Sequence, residues 1–151
     1  MRLVTLIGLL VASAGAAEEP ALSAEWCAAR HQKLVTVDRK AIVVLDSWDA
    51  ARRAAQLTQP SVLHRKTAEG ATAMARLSEI GEQTAKDAAR CTQAGFRNTR
   101  AQRLAYRRNE MNFHRVEPIL AALQDAWTAL QEAERATLMA EIKKSGLLET
   151  L

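Results

Sequence analysis

Apolar and small residues recur at steps of three and four along two long stretches of the chain, residues 21–57 and residues 61–94. This spacing places them on one face of an α-helix, and no stretch alternates with period two for long enough to predict a strand. The first face comprises Cys27, Arg30, Leu34, Val37, Ala41, Val44, Trp48, Ala51 and Ala55. The second comprises Leu63, Thr67, Gly70, Met74, Leu77, Gly81, Thr84, Ala88 and Cys91. The pattern predicts two long helices with coiled-coil-like seams.

The two cysteines of the chain lie at equal distances from position 59. If the chain folds back at that position, Cys27 and Cys91 meet at the far end of two antiparallel arms, each about 48 Å long at 1.5 Å per residue. In an exported chain, two cysteines form a disulfide more often than a metal-binding or redox site. The sequence therefore predicts a helical hairpin over residues 21–94, closed by a Cys27–Cys91 disulfide.

Two glycines inside the second predicted helix support the same alignment. A glycine in a helix costs close to 1 kcal/mol relative to alanine, so Gly70 and Gly81 need a reason in the packing. Folding the chain at position 59 places Gly70 opposite Trp48 and Gly81 opposite Val37. Large side chains on one helix then face small ones on the other, which allows close packing.

Beyond the hairpin the apolar pattern weakens and then recovers. Residues 96–116 predict a third helix whose apolar residues do not share one face. Pro118 suits the first turn of a new helix, and an apolar stripe continues from there to Lys144, ahead of Gly146. We expect the helix over residues 118–144 to pack against the hairpin, so that the fold is an all-α bundle of three or four helices.

Residues 1–17 have the three parts of a secretory signal peptide, namely a basic start, a short apolar run and a small-residue exit. Their removal leaves residues 18–151, which are enough for a single domain. No later stretch approaches the roughly twenty apolar residues of a membrane span. We therefore expect an exported, periplasmic protein without a membrane span.

The basic residues of the 96–116 segment are all arginines, and only Glu110 opposes them. They are Arg97, Arg100, Arg103, Arg107, Arg108 and Arg115. The planar guanidinium group suits carboxylate and phosphate groups. Because export argues against nucleic acid, we predict that these arginines bind a protein with an acidic surface or an anionic component of the cell envelope. The alternative is a solvated face that pairs with acidic residues of the hairpin.

A metal or haem site is a further alternative. Glu110, His114 and Glu117 stand at helical spacings of four and three, so they could share one face. A helical bundle can also hold haem through His and Met side chains, although covalent c-type haem is excluded because the chain lacks a CxxCH motif. Since these spacings are not diagnostic, no metal or cofactor is predicted, and the histidines are interpreted as surface or core residues.

No catalytic motif is found in the chain, which lacks a glycine-rich phosphate loop, a GxSxG motif and an HExxH motif. The interpretation that the sequence favours is an exported protein that binds another macromolecule, such as an inhibitor, an immunity-type partner or an envelope-assembly component. A periplasmic chaperone and a small helical secreted enzyme are the alternatives. The alanine-rich helix faces also leave a homo-oligomer open.

Overall fold

A computed structural model of the protein describes residues 21–57 and 59–151, and the predicted signal peptide lies outside them. All regular elements of the described residues are helical, which confirms the all-α prediction. They are α1 (Ala24–Ala54), α2 (Pro60–Gln93), α3 (Arg100–Ala129) and α4 (Glu132–Lys144), with short 3-10 turns at Ala55–Leu57 and Leu147–Thr150. None of these helices is both long enough and apolar enough to cross a bilayer.

α1 and α2 run antiparallel, and the predicted disulfide joins them. Cys27 and Cys91 are bonded, with their Cα atoms 5.6 Å apart and both side chains fully buried. Val37 lies against Gly81 in the middle of the pair, and Trp48 lies against Gly70 nearer the turn. The disulfide is confirmed, and both glycines have the neighbours that the alignment about position 59 predicts.

The ends of these two helices follow from local chemistry. The Ser23 hydroxyl accepts a hydrogen bond from the backbone N–H of Trp26, which caps α1. Pro60 occupies the first turn of α2, where its missing N–H leaves no helical bond unmade. Beyond the end of α2, Gly95 has φ of +93°, a left-handed conformation that glycine adopts without strain.

The C-terminal half of the chain differs from the prediction. α3 passes through Pro118, where the sequence predicts the start of a new helix, and ends at Ala129. Proline removes one backbone N–H, so the carbonyl of His114 loses its helical partner. Pro118 and His114 are both exposed, which leaves that carbonyl open to water and lets the helix continue. The predicted single helix over residues 118–144 is therefore wrong.

The actual break lies at Leu130 and Gln131, whose backbones are extended with ψ of 144° and 146°. After it, α4 packs against α2, and the side chain of Ile142 is buried. A hydrogen bond joins His64 Nδ1 of α2 to a carboxylate oxygen of Glu134 over 2.6 Å. These contacts between distant residues are not encoded in the apolar spacing of the chain.

The hydrophobic core lies where α1, α2 and α3 meet. Its centre is formed by Ile42, Leu45, Trp48, Val116 and Leu123. Ile42 and Leu45 are not on the predicted seam of α1, because they face α3 rather than α2. α1 is therefore buried on two sides, whereas the sequence pattern predicts only the side that faces α2.

Candidate protein-binding face

One side of α3 is held to α1 by side-chain hydrogen bonds. Three side chains of α3 donate to backbone carbonyls of α1, over 3.3, 2.9 and 3.1 Å respectively: Gln102 to Ala28, the Tyr106 hydroxyl to His31, and Asn109 to Val35. A carbonyl oxygen has two lone pairs, so it accepts these bonds in addition to its helical partner. The donors are four and three residues apart and share one face of α3, so together they determine which side of α3 faces α1.

The start of α3 is also fixed by specific hydrogen bonds. Thr99 and Gln102 form a capping box, in which each side chain accepts a hydrogen bond from the other's backbone N–H, over 3.1 and 2.9 Å. Just before it, the buried His31 ring donates from Nε2 to the carbonyl of Phe96 over 2.9 Å. The connection from α2 to α3 is thus tied to α1 before α3 begins.

The side of α3 away from α1 carries arginines and two large apolar side chains. Arg100, Leu104, Arg107, Arg108 and Met111 share this side, because Leu104 lies three or four residues from each arginine and Met111 lies three or four residues from Arg107 and Arg108. Leu104 is 55% exposed and Met111 is 70% exposed. We call these five residues the arginine face. An exposed apolar pair surrounded by charged groups is typical of an interaction surface.

All six predicted arginines are exposed, but their surroundings differ. Arg115 donates two hydrogen bonds to the Asp46 carboxylate of α1, over 2.7 and 2.9 Å. Arg103 donates to the backbone carbonyl of Asn98 over 2.6 Å. Across residues 21–57 and 59–151, four of the six form neither an ion pair nor a side-chain hydrogen bond: Arg97, Arg100, Arg107 and Arg108.

The Arg115–Asp46 pair is the one place where an arginine of this segment pairs with an acidic residue of α1. The hydrogen bond from Arg115 holds the pKa of Asp46 below its ordinary value, and the bond to Asp46 raises the pKa of Arg115. The alternative stated in the sequence analysis, in which these arginines pair with acidic residues of the hairpin, therefore applies to Arg115. Of the predicted set, the arginines of the arginine face are those on α3 whose guanidinium groups have no hydrogen-bond or ion-pair partner among the described residues.

The residues considered for a metal site do not form one in this part of the chain. Glu110, His114 and Glu117 are all exposed on α3. Within the described ranges, no three His, Cys, Asp or Glu side chains are placed to hold a metal ion together. The other two histidines, His31 and His64, have hydrogen-bond partners elsewhere in the bundle.

A groove of about 810 Å³ lies between α2 and α3, over the surface of α1. Its lining is largely apolar and includes two acidic residues, the half-buried Asp38 and the exposed Glu82. Burial raises the pKa of Asp38. The sequence patterns do not single out Asp38, because a lone acid within an amphipathic helix carries no motif.

Leu104 and Met111 are the other residues that the sequence patterns missed. They are seven residues apart, which puts them in line on a helix, and arginines stand three or four positions from each. That spacing is a usable signal. It was hidden because other apolar residues of the segment lie on other sides of α3: Val116 is in the core with α1, and Phe113 lines the groove. The whole set therefore shows no single face.

Comparisons of the chain with protein families, with curated proteins and with solved structures find no match. The fold and the site define a disulfide-linked, all-helical protein with an exposed basic and apolar helix face. Its function is therefore argued from the chemistry of that face.

Proposed function

We propose that this chain is an exported protein that binds another protein through the arginine face of α3. The partner has an acidic surface with an apolar pocket. The stapled hairpin of α1 and α2, with coiled-coil-like arms, is the support that holds α3 in place. One observation carries the proposal: three arginines that have no ion pair among the described residues share an exposed helix face with two large apolar side chains.

The chemistry of the arginine face supports a protein partner. Arginine presents a fork of donors that pairs with carboxylates through two hydrogen bonds, and Arg and Met are enriched in protein interfaces while Lys is depleted. Leu104 and Met111 would fill an apolar pocket, and the arginines around them would pair with acids at its edge. The net charge of +4 would also speed the encounter with an acidic partner.

An anionic membrane surface fits the arginine face less well. A helix that lies in a membrane interface buries a broad and continuous apolar stripe. The exposed side of α3 offers Leu104 and Met111 between arginines, and the opposite side is hydrogen-bonded to α1. Because those bonds prevent α3 from rolling, we favour a protein partner over lipid.

Export is supported by two separate features of the chain. The Cys27–Cys91 disulfide is typical of proteins in oxidising compartments. Residues 1–17 predict a signal peptide that would deliver the protein to such a compartment. Together they favour the periplasm as the place where the partner is met.

A photo-crosslinking amino acid at position 111 tests the arginine face directly in the periplasm. Position 43 is the matched control, because Val43 is also apolar and is 60% exposed on α1. We expect one dominant protein adduct from position 111 that is absent from position 43, and mass spectrometry then identifies the partner. Equal adducts from both positions, or adducts to lipid alone, would contradict the proposal.

Charge reversal then tests the arginines with the purified partner. Arg100→Glu combined with Arg107→Glu should weaken binding about tenfold or more, while the Tm stays unchanged because neither side chain has an ion pair in the described structure. Lys33→Glu combined with Lys143→Glu makes the same change in net charge on other exposed surfaces. If both pairs weaken binding equally, net charge rather than the arginine face is responsible.

A further inference from the structure

The groove between α2 and α3 lies on a different side of the bundle from the arginine face. α2 and α3 are in contact where Gly70 lies against Leu123, and the groove is open between other side chains of the two helices. Its lining takes side chains from all three helices, among them Leu34 and Val37 of α1, Met74 and Ala75 of α2, and Phe113 and Trp127 of α3. The groove is therefore a largely apolar site with two aromatic rings on one wall.

The dimensions of the groove indicate what it can hold. On α2 its lining extends from Ala71 to Ala85, which corresponds to about 21 Å at 1.5 Å per residue. Its volume of about 810 Å³ lies within the range of about 300–1,000 Å³ that is typical of small-molecule sites. The groove is therefore long enough and large enough for an elongated small molecule.

The charges in the groove are all of one sign. Among the described residues that line it, the ionisable ones are Asp38 and Glu82. Glu82 is exposed and pairs with Lys86 over 3.0 Å, so its charge is already compensated. Asp38 is half-buried, and no hydrogen bond or ion pair joins it to another described residue.

The position of Asp38 creates a need for a positive charge. A carboxylate in apolar surroundings loses hydration, and the loss is offset only by a hydrogen-bond partner or a counter-charge. Burial raises the pKa of Asp38, and its negative charge also contributes to the raised pKa of the Tyr106 hydroxyl, after burial of that hydroxyl. A cation in the groove would supply the missing partner.

We propose that the groove binds an organic cation with an elongated apolar body and one ammonium or guanidinium group, and that this group pairs with Asp38. The apolar body would lie along the walls formed by α2 and α3. The Phe113 ring adds a surface that attracts a cation. The Trp127 ring already has the Arg135 guanidinium over it, 5.9 Å from the ring centroid, and contributes apolar surface to the groove. This site does not depend on the proposed protein partner, because it shares no residue with the arginine face.

Three probes with the same decyl chain test the proposal by calorimetric titration of the mature protein below their micelle concentrations. They are decyltrimethylammonium, decyl sulfate and the uncharged decyl maltoside. We expect the cation to bind at one site per chain and more tightly than the other two, although the net positive charge of the protein favours the anion elsewhere on the surface. Equal or tighter binding of the anion or the uncharged probe would overturn the proposal.

Two variants place the cation in the groove. Asp38→Asn should weaken binding of the cation about tenfold or more and leave the uncharged probe unaffected. Ala75 is an exposed residue of the groove lining, so Ala75→Trp narrows the groove and should weaken the binding of every probe that enters it. Glu110→Gln, the control, removes a carboxylate from the exposed side of α3 and should leave the binding of all three probes unchanged. Unchanged cation binding by Asp38→Asn, or an equal loss with Glu110→Gln, would overturn the assignment.

Discussion

α1 packs against α2 and against α3 by different means. Toward α2 the contacts are mainly a disulfide and apolar side chains that lie against Gly70 and Gly81 of α2, with one buried hydrogen bond from Trp48 Nε1 to the Thr67 hydroxyl over 3.1 Å. Toward the first half of α3, α1 accepts hydrogen bonds from Gln102, Tyr106 and Asn109. Apolar packing is non-directional, whereas a hydrogen bond requires a defined geometry. The first interface therefore holds the hairpin together, and the second determines how α3 is turned.

This difference explains where the two candidate sites lie. Because α3 is hydrogen-bonded to α1, its opposite side is exposed and the arginine face is presented to solvent. Because α3 is bonded to α1 rather than packed along the length of α2, the groove between α2 and α3 stays open. Both surfaces depend on the orientation of α3. The different contributions of the two interfaces can therefore be tested by weakening each interface in turn.

The largest effect is expected from breaking the covalent part of the first interface. Cys27→Ala combined with Cys91→Ala should lower the free energy of unfolding by about 4 kcal/mol, because the disulfide restricts a long loop of the unfolded chain. Urea denaturation measures the change, and reduction of the unmodified protein provides the matched comparison. A loss below about 1 kcal/mol would show that helix packing alone holds the hairpin.

The next effect comes from the hydrogen-bonded interface. Asn109→Ala removes a buried donor to the carbonyl of Val35 and should lower the free energy of unfolding by about 2 kcal/mol. Asn112→Ala is the control, because Asn112 is less buried and has no hydrogen bond among the described residues. Equal losses in the two variants would mean that the hydrogen bond to α1 contributes little to stability.

A smaller gain is expected at one of the glycines of the first interface. A Cβ atom at Gly81 would lie 3.4 Å from Val37 Cγ1, which is an ordinary contact, so Gly81→Ala should raise the free energy of unfolding by up to about 1 kcal/mol. Gly70→Ala should gain less, because its Cβ would meet both Leu123 methyl groups at 3.4 Å as well as Trp48. Urea denaturation of the two variants checks which gain in the free energy of unfolding is larger. A lower free energy of unfolding for Gly81→Ala would show that the two helices do not adjust to accommodate the added methyl group.

The smallest effects concern two acids of α1 whose pKa values shift in opposite directions. The lowered pKa of Asp46 means that its pair with Arg115 adds stability above the unfolded pKa of about 3.9, and this stability is lost as the pH falls through the folded value. The raised pKa of Asp38 means that its charge destabilises the fold above the folded value, and this penalty disappears below about 3.9.

At pH 7, therefore, Asp46→Asn should lower the Tm slightly, because exposed pairs are screened by water, and Asp38→Asn should raise it. Melting curves from pH 7 down to pH 3 should show the two variants converging on the unmodified protein. Shifts of the same sign at pH 7 would contradict the opposite environments of these two carboxyl groups.

The contrast between the interfaces also explains which parts of the fold are predictable. In the sequence, the two cysteines lie at equal distances from position 59, and so do the two glycines and the residues that they face. The alignment of α1 with α2 can therefore be predicted from the spacing of residues along the chain. α3 lacks such a register because its apolar residues divide between two sides. Gln102 and Asn109 are buried although their side chains are polar, and a pattern of hydrophobic positions assigns such residues to the surface.

The candidate site was predictable only in part for the same reason. The six arginines are evident in the sequence, but the sequence does not distinguish Arg115, which pairs with Asp46, from Arg107, which has no ion pair among the described residues. The exposed positions of Leu104 and Met111 also require the orientation of α3. Asp38 becomes notable only after three helices have assembled around it.

The amino-acid sequence alone determined the helical class, the disulfide and the register of α1 with α2, because helical period and chain spacing are properties of neighbouring residues. Tertiary structure alone decided the course of α3 through Pro118, the exposure of the arginine face and the position of the groove. α3 continues through Pro118 because the freed carbonyl of His114 lies on an exposed part of the helix. The arginine face and the groove depend on hydrogen bonds between side chains and carbonyls that are 74 or 75 residues apart. Such bonds form only when the two helices are already side by side, and no local pattern of the chain records them.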